Sequence, residues 1–110
     1  MPDAGAAESS AVVFAALGDR TRLGLLTQLA AGEAQSITRL TAATELTRQA
    51  VTKHLRVLES AGIVRSARTG RETRFALDPA PIVSAQAYLE HVSRQWDGAL
   101  ARLKAMVEET

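Results

Sequence analysis

Between Thr47 and Gly62 the apolar and polar residues separate cleanly onto two sides of a helix, and this leaves the chain little choice of fold. Wound at roughly 100° per residue, Ala50, Val51, His54, Leu55, Val57, Leu58 and Ala61 fall on one side. Arg48, Gln49, Thr52, Lys53 and Arg56 fall on the other. Thr47 is placed to cap the first turn, with Leu46 and Val51 at the spacing of a hydrophobic staple. Gly62 suits the left-handed position just past the last turn, and Ile63 is placed to touch Leu58. So wide an apolar face requires a core to cover it. The opposite face has no acid in its first three turns. Solvated faces usually mix signs, so an all-donor stripe with Gln and Thr interleaved points to an acceptor-rich ligand such as the DNA major groove.

A hairpin is predicted directly after this helix. Ile63-Val64 and Thr73, Phe75 and Leu77 have strand character, and Thr69-Gly70 signals the turn. The hairpin carries Arg65, Arg68, Arg71 and Arg74 against the single acid Glu72. Arginines at such a tip suit phosphates or a narrow minor groove. Charge on an edge hairpin also resists strand-to-strand aggregation, but that does not explain the basic helix beside it.

The charge balance supports the same division. The 110 residues carry a formal charge of only +1, whereas Leu46–Leu77 alone carries +5, leaving −4 on the rest. A basic module on an acidic body is the footprint of nucleic-acid binding. Cys is absent, which removes disulfides, thiolate metal sites and thiol redox sensing. No apolar run reaches spanning length and the start lacks a basic-then-apolar leader pattern, so a cytoplasmic protein without membrane contact is expected.

In chain order, residues 1–8 read as a loose polar tail and 9–110 as a single domain. Ser9 or Ser10 is expected to cap a first helix through Val12, Val13, Phe14, Ala16 and Leu17, ended by Gly18. Asp19 caps a second, with Leu23, Leu26, Leu29 and Ala30 on one face. Arg20 and Arg22 stand at the wrong end of that helix for its dipole and call for an acid or a phosphate, with Asp19 the local choice. Ser36 caps a short third helix with Ile37, Leu40 and Ala43 inward. Ala43–Leu46 turns into the Thr47 helix, giving a helix-turn-helix over 36–62. Thr38 and Arg39, at the start of the short helix, are candidate phosphate contacts. The hairpin occupies 63–77. After Asp78-Pro79-Ala80-Pro81 a final helix over 81–108 carries a seam of Ile82, Ala85, Leu89, Val92, Trp96, Leu100 and Leu103, then Met106 or Val107. Steps of three and four over so long a helix predict a coiled-coil-like dimer contact, with Phe14 adding to it.

The run ALGDRTRLGLLTQL resembles the opening motif of the ArsR/SmtB family of bacterial winged-helix repressors. QAVTKHLRVLESAGIV resembles that family's recognition helix, and the arginine-rich hairpin resembles its wing. The resemblance implies a mostly helical winged helix-turn-helix with a small β-hairpin: four helices, the hairpin, and a last helix that pairs two subunits. It implies a homodimer on a partly palindromic double-stranded operator, repressing a promoter, often its own. It places helix contacts at Arg48, Gln49, Thr52 and Lys53 and wing contacts at Arg68, Gly70 and Arg71. The polar face and hairpin extend the set to Thr47, Arg56 and Arg74. The matching histidine, His54, falls on the apolar side, and is read as a packing or backbone-bonding residue.

This sequence departs from the family pattern in sensing. Many members bind metal through cysteines or through paired His and acidic residues on the last helix. Here the last helix offers Glu90, His91 and Asp97, while Leu100, Arg102 and Leu103 stand near the matching second positions and cannot ligate. The expectation is a metal-independent regulator with no cofactor, either a simple autorepressor or one that responds to an unknown signal. Three other readings compete. An enzyme would need a nucleophile-base pair, a phosphate loop or a metal motif, and none is present. A metal-responsive repressor would need carboxylates and His91 to meet across a dimer. A winged helix used for protein contact would not need an acid-free reading face.

Overall fold

The computed structural model describes residues 4–109. The elements run α1 (Ala4–Leu17), α2 (Arg20–Ala30), β1 (Gln35–Ser36), α3 (Ile37–Ala42), α4 (Arg48–Ser60), β2 (Val64–Thr69), β3 (Glu72–Leu77) and α5 (Ala80–Glu108). Local chemistry accounts for their ends. Asp19 Oδ2 accepts from the Arg22 N–H, Ser36 Oγ from Arg39 N–H and Thr47 Oγ1 from Ala50 N–H, so each of these residues caps its helix through its side chain. At the other end of α4, Gly62 adopts φ +77°, the Gly62 N–H donates to the Glu59 carbonyl at 2.9 Å, and the Ile63 N–H donates to that of Leu58 at 3.0 Å. That pair of bonds is the Schellman arrangement, which satisfies carbonyls the helix would otherwise leave unpaired. Asp78 Oδ1 accepts from the Ala80 N–H at the start of α5, where Pro81 lies in the first turn.

One core joins the layers. Val13 and Ala16 of α1, Leu25, Leu26 and Leu29 of α2, Ile37 and Leu40 of α3, and Val51, Leu55 and Leu58 of α4 meet Ile63, Val64, Phe75 and Ala85. The strands form an antiparallel sheet in the order β1-β3-β2, with Ser66 opposite Phe75 and Ser36 opposite Arg74. Phe75 and Val64 point into the core, so this face of the sheet closes over α4.

Several expectations are corrected. Residues 4–8, expected as part of a loose tail, belong to α1, and residues 1–3 of that tail lie outside the described residues. Three alanines among those five residues favour helix strongly, and this outweighs their small, polar character. Ser10 is consequently buried within α1 and does not cap it. In α2 the inward face is Leu25, Leu26 and Leu29, whereas Leu23 and Ala30 are exposed. Ala43 is exposed at the end of α3. Val57, expected inward, is 39% exposed over a shallow apolar recess it shares with Val12, Ala15, Ala16, Ser60 and Ala61. Strand β1 was not expected. Two residues carry no alternation to read, and they pair because the edge of β3 has backbone groups to satisfy.

The last helix leaves the body. At 1.5 Å per residue its 29 residues reach about 43 Å. The radius of gyration is 18.5 Å, against ~13 Å for a compact chain of this length. Ala85 is buried and Ile82 partly so, but Trp96 is 62% exposed, Leu100 60% and Leu103 50%. Phe14 and Leu89 are also exposed, and Val92 is half-buried. Among the described residues, no helix is long and apolar enough to cross a membrane.

Candidate nucleic-acid interface

The first two turns of α4 stand clear of the body. Arg48, Gln49, Thr52 and Lys53 line one shallow surface depression, and no acid lies among them. The buried Val51, Leu55 and Leu58 on the opposite side hold this face outward. Thr52 Oγ1 donates to the Arg48 carbonyl at 2.8 Å, which leaves its lone pairs as acceptors. Arg48 Nη1 donates to Thr38 Oγ1 of α3 at 2.8 Å. Among the described residues, the side chains of Gln49 and Lys53 make no hydrogen bond or ion pair. Thr47 is exposed, but its hydroxyl is already engaged as the α4 cap.

Thr38 and Arg39, adjacent in sequence, diverge in space. Thr38 meets Arg48, whereas Arg39 lines a polar cleft with Gln28, Glu33, Gln35, Glu72 and Arg74. The Gln35 side chain in that cleft donates to the Gln28 carbonyl at 3.0 Å.

The hairpin arginines do not form one cluster. Strand alternation puts Val64, Ser66 and Arg68 with Thr73, Phe75 and Leu77 on the α4 side, and Arg65 and Arg74 on the other. Arg65 Nε donates to Asp78 Oδ2 at 2.7 Å, and Arg74 Nη2 lies 3.0 Å from Glu72 Oε2. The turn itself is Gly70-Arg71, with Gly70 at φ +63° and Arg71 at negative φ, the type II′ pattern that wants glycine first. Arg68 Nε makes only a long 3.4 Å bond to the Gly70 carbonyl. Arg71 has no partner among the described residues. Of the expected wing residues, Arg68, Gly70 and Arg71 therefore present free donors at the tip, while Arg74 is neutralised beside it.

Arg56 is also occupied. Its guanidinium donates to Glu59 Oε1 at 2.7 Å and lies 5.8 Å above the Phe75 ring. Glu59 in turn accepts a hydrogen bond from Ser66 Oγ of β2. These two bonds, the Ser66 hydroxyl first, hold the Glu59 carboxyl below the ordinary glutamate range. Arg56, Glu59, Ser66 and Phe75 thus latch the hairpin to α4. Sequence reasoning missed this latch, although Arg56 and Glu59 sit at the i, i+3 spacing that allows a pair on one helix face.

His54 is half-buried and bonds a side chain, not the backbone. Arg22 Nη1 lies 3.3 Å from its Nδ1, and Asp19 Oδ2 lies 3.8 Å from the same atom. A guanidinium only donates, so Nδ1 is the acceptor in this contact. Arg22 Nε also donates to the Ala16 carbonyl at 2.6 Å and Nη2 to that of Ala15 at 3.3 Å. The cation at the wrong end of α2 therefore serves the carbonyl end of α1, where a positive charge is favoured. Asp19 is held below the ordinary aspartate range, chiefly by the backbone N–H of Arg22. No three His, Asp or Glu side chains among the described residues converge to hold a metal ion.

A short helix, a turn, a helix with an outward donor face and a hairpin docked beside it define a winged helix-turn-helix transcription regulator. Comparison with known proteins agrees. A helix-turn-helix domain family matches residues 17–67. The HTH-type transcriptional regulator YuzN of Bacillus subtilis (strain 168) is 42% identical over 76 residues, 64% of this chain and 83% of its own length. An ArsR-like transcriptional regulator from Rhodococcus sp. RHA1 superposes with a TM-score of 0.78 at 38% identity, over 93% of this chain and 95% of that one. The homodimeric winged helix-turn-helix DNA-binding domain of Mb0332 from Mycobacterium bovis matches with a TM-score of 0.66 at 25% identity, over 86% of this chain and 89% of its own. The chain belongs to the ArsR family of DNA-binding transcriptional regulators.

Proposed function

We propose that this regulator is a homodimeric repressor that reads a partly symmetric operator with the start of α4. The observation that carries the reading is the acid-free, outward face of Arg48, Gln49, Thr52 and Lys53. Arg suits guanine and Gln suits adenine through paired bonds in the major groove, so Arg48 and Gln49 are assigned to bases. Thr52 and Lys53 set register on the backbone. Arg68, Gly70 and Arg71 grip flanking phosphates or minor groove, and Arg39 is assigned to a phosphate beside α3. Thr47 acts through the cap it provides, and Arg56 and Arg74 act through the latch and the hairpin edge.

The uncovered seam of Leu89, Trp96, Leu100 and Leu103, with Phe14 and the half-buried Val92, supports pairing of two copies through α5 and α1. Exposed apolar surface of this extent on one helix favours a partner, and the Mycobacterium bovis relative is a homodimer. Two-fold pairing sets the α4 helices about one DNA turn, roughly 34 Å, or a multiple of it apart. Protein bound there excludes polymerase from an overlapping promoter.

The test is selection of bound sequences from random duplex DNA at two salt concentrations. A symmetric motif with steeply salt-dependent affinity is expected. Arg71→Ala should weaken all sequences alike and reduce the salt slope by about one ion. Salt-independent binding without an enriched motif would replace this reading with a winged helix used for protein contact.

A further inference from the structure

We infer that Thr38 is a positioning residue that sets the base specificity of Arg48, and not a phosphate contact of its own. The inference deepens the proposed function and rests on the assignment of Arg48 to a base. Thr38 is the second residue of α3, on a platform that has little room to move. Ser36 caps that helix through the Arg39 N–H, and Ile37 and Leu40 on either side are buried, Leu40 at 0% exposure. Arg48 is the first residue of α4, itself held by the Thr47 cap and by Thr52 Oγ1 on its carbonyl. The 2.8 Å bond from Arg48 Nη1 to Thr38 Oγ1 spans ten residues and crosses the turn of the helix-turn-helix.

That bond restricts how the guanidinium meets DNA. A free arginine presents either its Nη1–Nη2 edge or its Nε–Nη2 edge, and it loses rotamer freedom on binding. With one Nη1 hydrogen given to Thr38, the Nε–Nη2 edge keeps both parallel donors, the pattern that fits guanine O6 and N7. Arg48 makes no other side-chain bond among the described residues. Nη1 keeps a second hydrogen, so the bond acts by orientation: Thr38 fixes the plane of the guanidinium and orders its intact Nε–Nη2 edge before DNA arrives.

The experiment compares Thr38→Val, Thr38→Ala, Thr38→Ser and Arg48→Ala, singly and with Thr38→Val combined with Arg48→Ala, in binding-site selection and in titrations of the selected site and its single-base variants. Valine keeps the shape and removes the acceptor. Serine keeps the acceptor. The expected result is a roughly 2–10-fold loss of preference at one base pair per half-site in Thr38→Val and Thr38→Ala. That range is a net hydrogen bond's ~0.5–1.5 kcal/mol converted at about 1.4 kcal/mol per decade. The same base pair should be relaxed by Arg48→Ala, Thr38→Ser should keep the preference, and the double variant should be no worse there than Arg48→Ala. Because Thr38 is exposed, the variants should stay folded and unfold cooperatively in urea close to the wild-type midpoint. A uniform loss over all sequences with a reduced salt slope would make Thr38 a phosphate contact and overturn the inference, as would an unchanged preference. If Arg48→Ala leaves every base preference intact, the base-reader assignment fails first and the inference fails with it.

Discussion

Arg22→Ala should lower stability by about 2–3 kcal/mol although the residue lies far in sequence from every partner but α1. The side chain makes one short, part-buried bond to the Ala16 carbonyl at 2.6 Å, one exposed 3.3 Å bond to Ala15, and one to His54 Nδ1. A hydrogen bond to a charged group contributes ~1.5–3 kcal/mol, and solvent access to Arg22 argues for the lower half of that range. The long exposed bond adds a few tenths. A cation at the end of α1 adds ~0.3–1 kcal/mol through the helix dipole. With an m-value of about 1.5 kcal/mol/M in urea, the midpoint should fall by roughly 1.3–2 M, measured at one fixed protein concentration because the proposed pairing of subunits would feed into apparent stability. Arg22→Lys keeps the charge but not the planar fork, and should recover about half of the loss. Full recovery by lysine would show that charge alone matters. A loss below about 0.5 kcal/mol in Arg22→Ala would refute this role of Arg22 at the end of α1 altogether.

Two further outcomes follow from the same reasoning. Asp19, Glu59 and Asp78 all have lowered carboxyl values, with the largest causes being the Arg22 N–H, the Ser66 hydroxyl and the Ala80 N–H respectively. A depressed folded value contributes stability that is present above the unfolded value and lost as pH falls through the folded one. The urea midpoint should therefore decline as pH drops below about 4.5, the ordinary value of Glu59, and decline less in Glu59→Gln; an unchanged midpoint between about pH 5 and 3 would contradict it. Trp96→Ala removes the largest side chain on the uncovered face of α5. It should raise the dimer dissociation constant at least tenfold by sedimentation, a cost near 1.4 kcal/mol or more, and weaken operator binding in parallel, whereas an intact dimer would place the subunit contact elsewhere.

Much of the frame was legible because it is local. Thr47, Gly62 and Ile63 sit within one turn of the backbone groups they serve, so the start and end of α4 follow from residue type and spacing. Val51, Leu55 and Leu58 are buried as their spacing requires. The hairpin was legible from the strand character of Thr73, Phe75 and Leu77 and the turn signal at Thr69-Gly70, although Thr69 ends β2 and the turn is Gly70-Arg71. Val57 failed because periodicity says only which side a residue faces. Whether that side is covered depends on how far α1 reaches over it.

Sequence by itself determined the order of the helices and the hairpin, the caps Asp19, Ser36 and Thr47, most of the core face of α4 and an acid-free donor face opposite it, since those depend on neighbours three or four residues away. Tertiary structure alone decided which cations remain available. Arg56 is latched through Glu59 and Phe75, Arg65 is paired with Asp78, and Arg22 is turned to the end of α1, while Gln49, Lys53 and Arg71 keep their donors free. A charged side chain takes whichever partner lies within about 3–4 Å. Segments thirteen or thirty-two residues apart are brought to that distance only when the core closes and the sheet docks on α4.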